Sequence, residues 1–298
     1  MYRASLPLDE ILAFDVPNKT IRENSIPLSL GYDVLITILN PEPQNLKVDL
    51  DTKVLKTSLE SFVVTLSPLA NFTIKSQWLY LIELGVSPKK VNDYYVLTEN
   101  QLPLIITPLE KKIWSHMSPR PTINLIVYVS QCKMPLYIHS NENERVQSNA
   151  FLSPSWGGIS IINPDQQSCN DHLYKVDLHP VLLNFVAQLR ELIGLKSSSV
   201  EDVHQMKKTK SVDMINSTRR TLKSLAKLLS EISSIVISDE VAIKVHDALR
   251  NASEAEKWIK KDNVDKALKA AKLAFHNSES AFSDPSLLAL LYFPDDQK

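Results

Sequence analysis

From Gly31 to Leu39 the chain runs Gly-Tyr-Asp-Val-Leu-Ile-Thr-Ile-Leu and is then stopped by Asn40-Pro41-Glu42-Pro43. A short, β-branched, apolar run with a proline exit predicts a buried strand. Leu46, Leu50, Val54, Leu55, Leu59, Phe62, Val63 and Leu66 then recur at threes and fours, which places one apolar stripe on a helix ending near Ser67-Pro68. A second strand is expected from about Phe72 to Leu84. Strand, helix and strand at this length make a βαβ unit, so this half of the chain should hold a sheet with parallel pairing.

Further strands are expected at Tyr94 to Leu97, Thr122 to Ser130, Leu136 to His139 and Gly158 to Ile162, between Pro-rich and Asn-rich turns. A short helix is expected after Pro108, and the polar stretch Asn141 to Asn149 reads as an exposed hairpin loop. At Pro180 a helix begins with proline in its first turn, where no N–H is needed. Val181, Leu182, Phe185, Val186, Leu189, Leu192 and Ile193 supply its buried face, and it ends at Gly194.

The pattern changes beyond the serine linker Ser197, Ser198 and Ser199. Ser199 with Asp202 resembles a capping box. Three segments then show a seven-residue apolar repeat, running from Ile215 to Val236, from Val241 to Ile259 and from Val264 to Phe282. Short connections force neighbours antiparallel, and the alanine-rich middle segment is expected to sit close to both others. Asp284-Pro285 announces a last short helix, whose apolar block of Leu287, Leu288, Leu290, Leu291, Tyr292 and Phe293 should pack on the domain, a partner or a membrane. The fold class expected is therefore α/β, a mixed sheet flanked by helices with a C-terminal antiparallel three-helix array. Residues 1–28 read as an N-terminal segment, 29–196 as the sheet domain, 197–283 as the helical region and 284–298 as the short apolar end.

Composition narrows the function classes. A formal net charge of -1 gives no field to concentrate phosphate backbones, which argues against nucleic acid as a partner. No apolar run approaches the roughly 20 residues that cross a bilayer, so the chain as given is expected to be soluble. Five glycines, Gly31, Gly85, Gly157, Gly158 and Gly194, are too few and too scattered for a phosphate-cradling loop. No cofactor is implied.

Candidate chemistry is thin. Cys132 with His139, or Cys169 with His172, could be read as a thiol–imidazole nucleophile, but neither cysteine stands in a nucleophile motif. The two cysteines are either bridged to each other or free and buried. The seven histidines lack paired metal-ligand spacing, and His204 and His246 read as solvated helix positions. Ser155-Trp156-Gly157-Gly158 could present Trp156 as an interface anchor, but a turn whose glycines take unusual backbone angles, with the indole sealing the sheet edge, is the preferred reading. Lys207, Lys208, Lys210, Arg219 and Arg220 could meet acidic headgroups, though a solvated bundle face explains them. Sequons at Asn18, Asn71, Asn216 and Asn251 permit a secretory location.

Four stretches carry a resemblance. They are Tyr-Arg-Ala-Ser-Leu-Pro at 2–7, Leu-Gly-Tyr-Asp with Leu-Asn-Pro-Glu-Pro within 30–43, Asn-Ala-Phe-Leu-Ser-Pro-Ser-Trp-Gly-Gly-Ile at 149–159, and Asp-Pro-Ser-Leu-Leu-Ala-Leu-Leu-Tyr-Phe-Pro-Asp-Asp-Gln-Lys at 284–298. In these the chain resembles the PIG-S family, subunits of the GPI transamidase. The resemblance implies a lumenal part with a membrane helix before it and another after it, in the endoplasmic reticulum membrane. It implies glycosylation at Asn71 and no nucleophile of its own, the thiol protease-like chemistry belonging to another subunit. The implied role is a non-catalytic scaffold that binds the catalytic and accessory membrane subunits, with Trp156, Leu288, Leu291, Tyr292 and Phe293 as interface candidates. An alternative within the same resemblance is a lipid- or GPI-recognising module. One departure is that only about 20 residues separate the first motif from Leu30, where the family has a longer segment.

Overall fold

All ten residues of β1 (Gly31–Asn40) are buried, as a strand covered on both faces requires. The computed structural model describes residues 6–16, 26–113, 118–197, 199–231 and 237–287. β1 pairs in parallel with β3 (Asn71–Tyr80) on one side and β6 (Thr122–Val129) on the other. β6 pairs in parallel with β9 (Gly157–Ile162), and β8 (Ala150–Ser153) closes the far edge antiparallel to β9. The five-stranded order is β3-β1-β6-β9-β8.

Alternation along β1 sends Val34, Ile36 and Ile38 to one face and Leu35 and Leu39 to the other. The first face carries α2 (Thr52–Val64) against β3 and α5 (Leu178–Ile193) against β9. Val181, Phe185, Leu189, Leu192 and Ile193 are the buried side of α5, whose ends are set by the Asp177 carboxylate on the His179 N–H and by Gly194 in the left-handed region at φ 84. On the second face Leu35, Leu39, Ile126 and Ile159 meet Leu102, Ile105 and Leu109 of α3 (Leu102–Glu110). They also meet Leu97, Leu136 and Ile138 of a three-stranded sheet made of β4 (Lys89–Val91), β5 (Tyr94–Thr98) and β7 (Leu136–His139). A two-stranded sheet joins β2 (Lys47–Asp49) to β10 (Leu173–Lys175), with α4 (Gln166–Asn170) just before β10.

Several boundaries differ from expectation for identifiable reasons. α2 does not begin near Leu46. Asp51 caps it by accepting from the Lys53 and Val54 N–H groups, and Leu46 and Leu50 are buried on the approach, around β2. α3 starts six residues before Pro108, with proline also in its first turn. The carbonyl that loses its N–H partner to Pro108 belongs to Leu104, an exposed residue where water can serve. The stretch 141–149 is not wholly an exposed loop. Asn149 is buried, accepts from the Ile138 N–H and donates to the carbonyls of Leu136 and Ile161, welding β7 to β9.

The chain divides into two compact units, Arg22–Lys196 and the combination of Met1–Ile21 with Ser197–Lys298. The second is built on α6 (Val200–Glu231), α7 (Asp239–Lys260) and α8 (Val264–Phe282). Lys207 pairs with Asp265 and Thr221 donates to Glu279, so α6 and α8 run the same way; Lys244 pairs with Asp284, so α7 runs against them. All three helices touch, α7 meeting α6 through Glu256 and Arg219, but α8 makes the broader contact with both others. Its Ala267, Ala270, Ala271, Ala274 and Ala281 are buried, and small side chains permit that close approach. Among the described N-terminal residues, Leu6 and Ile11, the latter in α1 (Leu8–Leu12), pack among Leu222, Leu225, Val241 and Val245. Asp284 accepts from the Ser286 N–H and hydroxyl, and Leu287 is buried in that same cluster. Ile232, Val236, Leu288, Leu290, Leu291, Tyr292 and Phe293 lie outside the described residues.

Candidate functional site

The parallel strands end together, and the loops leaving them build a cavity of about 320 Å³ at the carboxyl edge of the sheet. Its floor includes Leu97 and Leu136 and its rim Glu83, Gln131 and Met134. Ser130, one residue past β6, is 2% exposed, and its hydroxyl has no hydrogen-bond partner. Tyr128 lines the same space; burial, then the nearby carboxylates of Glu83 and Glu42, push its phenol well above the ordinary tyrosine range. Asn40 shapes the proline exit beside it, donating to the Leu46 carbonyl and accepting from the Glu42 N–H.

Cys132 and Cys169 are joined, with Cα atoms 5.7 Å apart. The bridge ties the loop after β6 to α4, and it decides between the two readings left open by the sequence. It also removes both thiol nucleophile readings, since neither sulfur is a thiol. His172 instead has its Nδ1 2.8 Å from the Asn45 carbonyl. Among the described residues no three His, Cys, Asp or Glu side chains come together as a metal site.

The amino edge of the sheet is organised around Asp33, which is 4% exposed. Lys75 Nζ lies 2.5 Å and Ser118 Oγ 2.7 Å from its Oδ2, both donating. Burial by itself raises the Asp33 carboxyl, but these two hydrogen bonds and the charges of Lys75 and Arg120 outweigh it and hold it below the usual carboxylate range. A shallow cleft follows along Ser118, Arg120, Asn124 and Trp156. Trp156 is 8% exposed and packs in the core on the α3 face, as the edge-sealing reading holds; an indole so buried offers little surface to a partner. Gly157 takes φ 151, and a Cβ there would come within 1.9 Å of the Asn124 carbonyl oxygen.

The remaining sequence candidates separate clearly. Asn71 opens the edge strand β3 and is exposed. Asn251 is buried in α7 with its amide donating to the Asp247 carbonyl, and Asn216 lies within α6. Asn18 falls outside the described residues. The basic stretch of α6 is engaged across the helices, Lys207 with Asp265, Lys208 with Asp262 and Arg219 with Glu256. His204 also faces Asp262, at 3.7 Å. The solvated-face reading fits Lys208 and Arg219, but Lys210 is buried within α6, and a headgroup-binding stripe would have to break these pairs. The carboxyl-edge cavity was missed by sequence reasoning: Glu83, Ser130 and Met134 belong to no motif, and only the general placement of ligand crevices at strand ends points there.

Fold and clefts together define a two-unit protein: one unit is a mixed α/β sheet covered on both faces, with a disulfide stapling the loops at its carboxyl edge, and the other is a helical trio. The family model described as phosphatidylinositol-glycan biosynthesis class S protein matches residues 16–298. Relatives from Bos taurus and Homo sapiens, both named GPI-anchor transamidase component PIGS, are 36% and 35% identical over 295 residues, covering 91% of this chain and 53% of their own length. A Schizosaccharomyces pombe relative named GPI transamidase component PIG-S homolog is 25% identical over 293 residues, 95% of this chain and 52% of its own. This chain belongs to the PIG-S family. It spans about half the length of the curated relatives it matches.

Proposed function

We propose that this chain is part of a non-catalytic subunit of the GPI transamidase, on the lumenal side of the endoplasmic reticulum membrane, where it binds the catalytic thiol protease-like subunit and accessory membrane subunits. The observation that carries the reading is 36% identity, across nearly the whole chain, to proteins named as components of that enzyme. The chemistry of the site supports it. Both cysteines are engaged in the bridge, so an acyl transfer through a thiolate has no nucleophile in this chain. The bridge also suits an oxidising compartment, and exposed Asn71 suits a glycosylated surface.

The chain's own contribution is rigidity at its surfaces. The sheet is covered on both faces, the carboxyl-edge loops are tied by the bridge, and ion pairs span the three helices. Surfaces held this way lose little freedom on docking, which favours association. Among the described residues no helix is long and apolar enough to cross a membrane, so attachment to the bilayer would come through segments other than these.

The test is affinity purification of the tagged chain, directed to the endoplasmic reticulum and released in mild detergent. The other transamidase subunits should be recovered with it in comparable amounts. Recovery of the chain alone, under conditions that keep the endogenous complex intact, would contradict the reading.

A further inference from the structure

The connection leaving β1 runs through α2 on one face of the sheet, whereas the chain leaving β6 runs into β7 on the other. Between two such adjacent strands the connections part, and the crevice outside their carboxyl ends is where open α/β sheets take ligands. The cavity of about 320 Å³ lies beside this place on the α3 face, between the loop leaving β3, the end of β6, and strands β5 and β7. Its described lining holds one charged side chain, the Glu83 carboxylate, on the exposed rim. Gln131 Nε2 donates a long, weak hydrogen bond of 3.5 Å to Glu83 Oε1, which leaves the carboxylate room for a further donor. Deeper in, the Ser130 hydroxyl is buried without a partner, a state that costs free energy until something supplies one.

We propose that this cavity is a binding site for a cationic side chain, an ammonium or guanidinium on a hydrocarbon stem, presented by a protein segment lying across the carboxyl ends of the sheet. Val86, Pro88 and Met134, half-buried along the lining, take the methylene stem. Glu83 accepts the N–H donors of the head group, a charge-assisted contact roughly twice as strong as a neutral one, and rotation of the covered Ser130 hydroxyl supplies a second acceptor. An anionic ligand meets Glu83 with Glu42 close by, and a purely apolar one leaves Ser130 unpaired. A hard metal ion needs several oxygen ligands, and the lining offers a single carboxylate. Gln131 precedes bridged Cys132, so the rim is preorganised by its tie to α4. Only the identity of the segment that carries the cation rests on the reading of the chain as an interaction subunit; the site itself stands on its geometry.

The experiment uses the full chain labelled with ¹³C at the methionine methyls and follows Met134, assigned with Met134→Leu. The probes are N-acetyl-arginine N-methylamide, N-acetyl-lysine N-methylamide and the neutral N-acetyl-citrulline N-methylamide. Both cationic probes should move the Met134 signal saturably, the citrulline compound binding about tenfold more weakly. Glu83→Gln should weaken the cationic probes by about tenfold with thermal unfolding unchanged, and Ser130→Ala by roughly threefold with the unfolding temperature unchanged or raised, since it removes an unpaired buried hydroxyl. The proposal is overturned by equal response to charged and neutral probes, by saturable binding that Glu83→Gln leaves intact, or by an immobile Met134 signal at probe concentrations up to roughly 50 mM. None of these results bears on co-purification with the transamidase, so the two readings fail separately.

Discussion

The carboxamide of Gln188 occupies the space that a side chain on Gly158 would need: a Cβ there would lie 2.2 Å from Gln188 Cδ and 2.3 Å from its Oε1. Gln188 is held in place by donating to the carbonyls of Phe151 and Ile159, so α5 is keyed onto β8 and β9 through this one glycine. Gly158→Ala should destabilise the chain by about 2 kcal/mol, and Gln188→Ala in the same chain should recover part of that loss. The comparison is Gly157→Ala, which meets the Asn124 backbone rather than a side chain and has no such rescue. Its cost should be larger, about 3 kcal/mol or more, by urea unfolding.

Asp33 gives stability a defined pH dependence. Its folded carboxyl lies below its unfolded value near 3.9, so the stabilisation is fully present above that pH and is lost as pH falls through the folded value. Lys75 is half exposed, and solvent screening keeps the ion pair modest. Asp33→Asn should therefore cost about 1 kcal/mol at pH 7, and the gap between variant and parent should narrow in acid. Urea midpoints at pH 7 and pH 3 measure it; a gap that stays constant would show that the charge plays no part.

The Cys132–Cys169 bridge closes a loop with a sequence separation of 37. Loop-closure entropy assigns such a crosslink about 4 kcal/mol. Paired Cys132→Ser and Cys169→Ser substitutions should lower the unfolding midpoint accordingly. Reduction should also loosen the Glu83–Met134 rim, increasing amide hydrogen exchange at 131–134 before it affects the core of β1.

Expression through the secretory pathway should place a glycan on Asn71. Asn71→Gln should then remove the mass of one N-glycan, while Asn251→Gln should leave the glycan count unchanged, because the Asn251 amide is buried and already donating within its helix. Intact-mass measurement before and after enzymatic deglycosylation reads both.

The sequence made β1, β6, β7 and α5 legible because each is a strongly patterned run bounded by proline, glycine or a capping carboxylate. Three-residue strands such as β2 and β10 carry no such pattern. They exist because Lys47 to Asp49 finds Leu173 to Lys175, a pairing fixed by tertiary packing more than a hundred residues apart. Asn149 reads as a loop residue by type, yet its three buried hydrogen bonds make it part of the sheet framework. The broader packing of α8 against both of its neighbours follows from five buried alanines that a seven-residue count samples only in part. The carboxyl-edge cavity could not be read at all, since Glu83, Tyr128 and Ser130 meet only once the strands are parallel.

Peptide cleavage and GPI transfer by the purified chain, measured beside the assembly that co-purifies with it, test the central reading most directly. The account predicts turnover in the assembly and none above background in the chain alone. Turnover by the chain alone, at a rate comparable to that of the assembly, would contradict it.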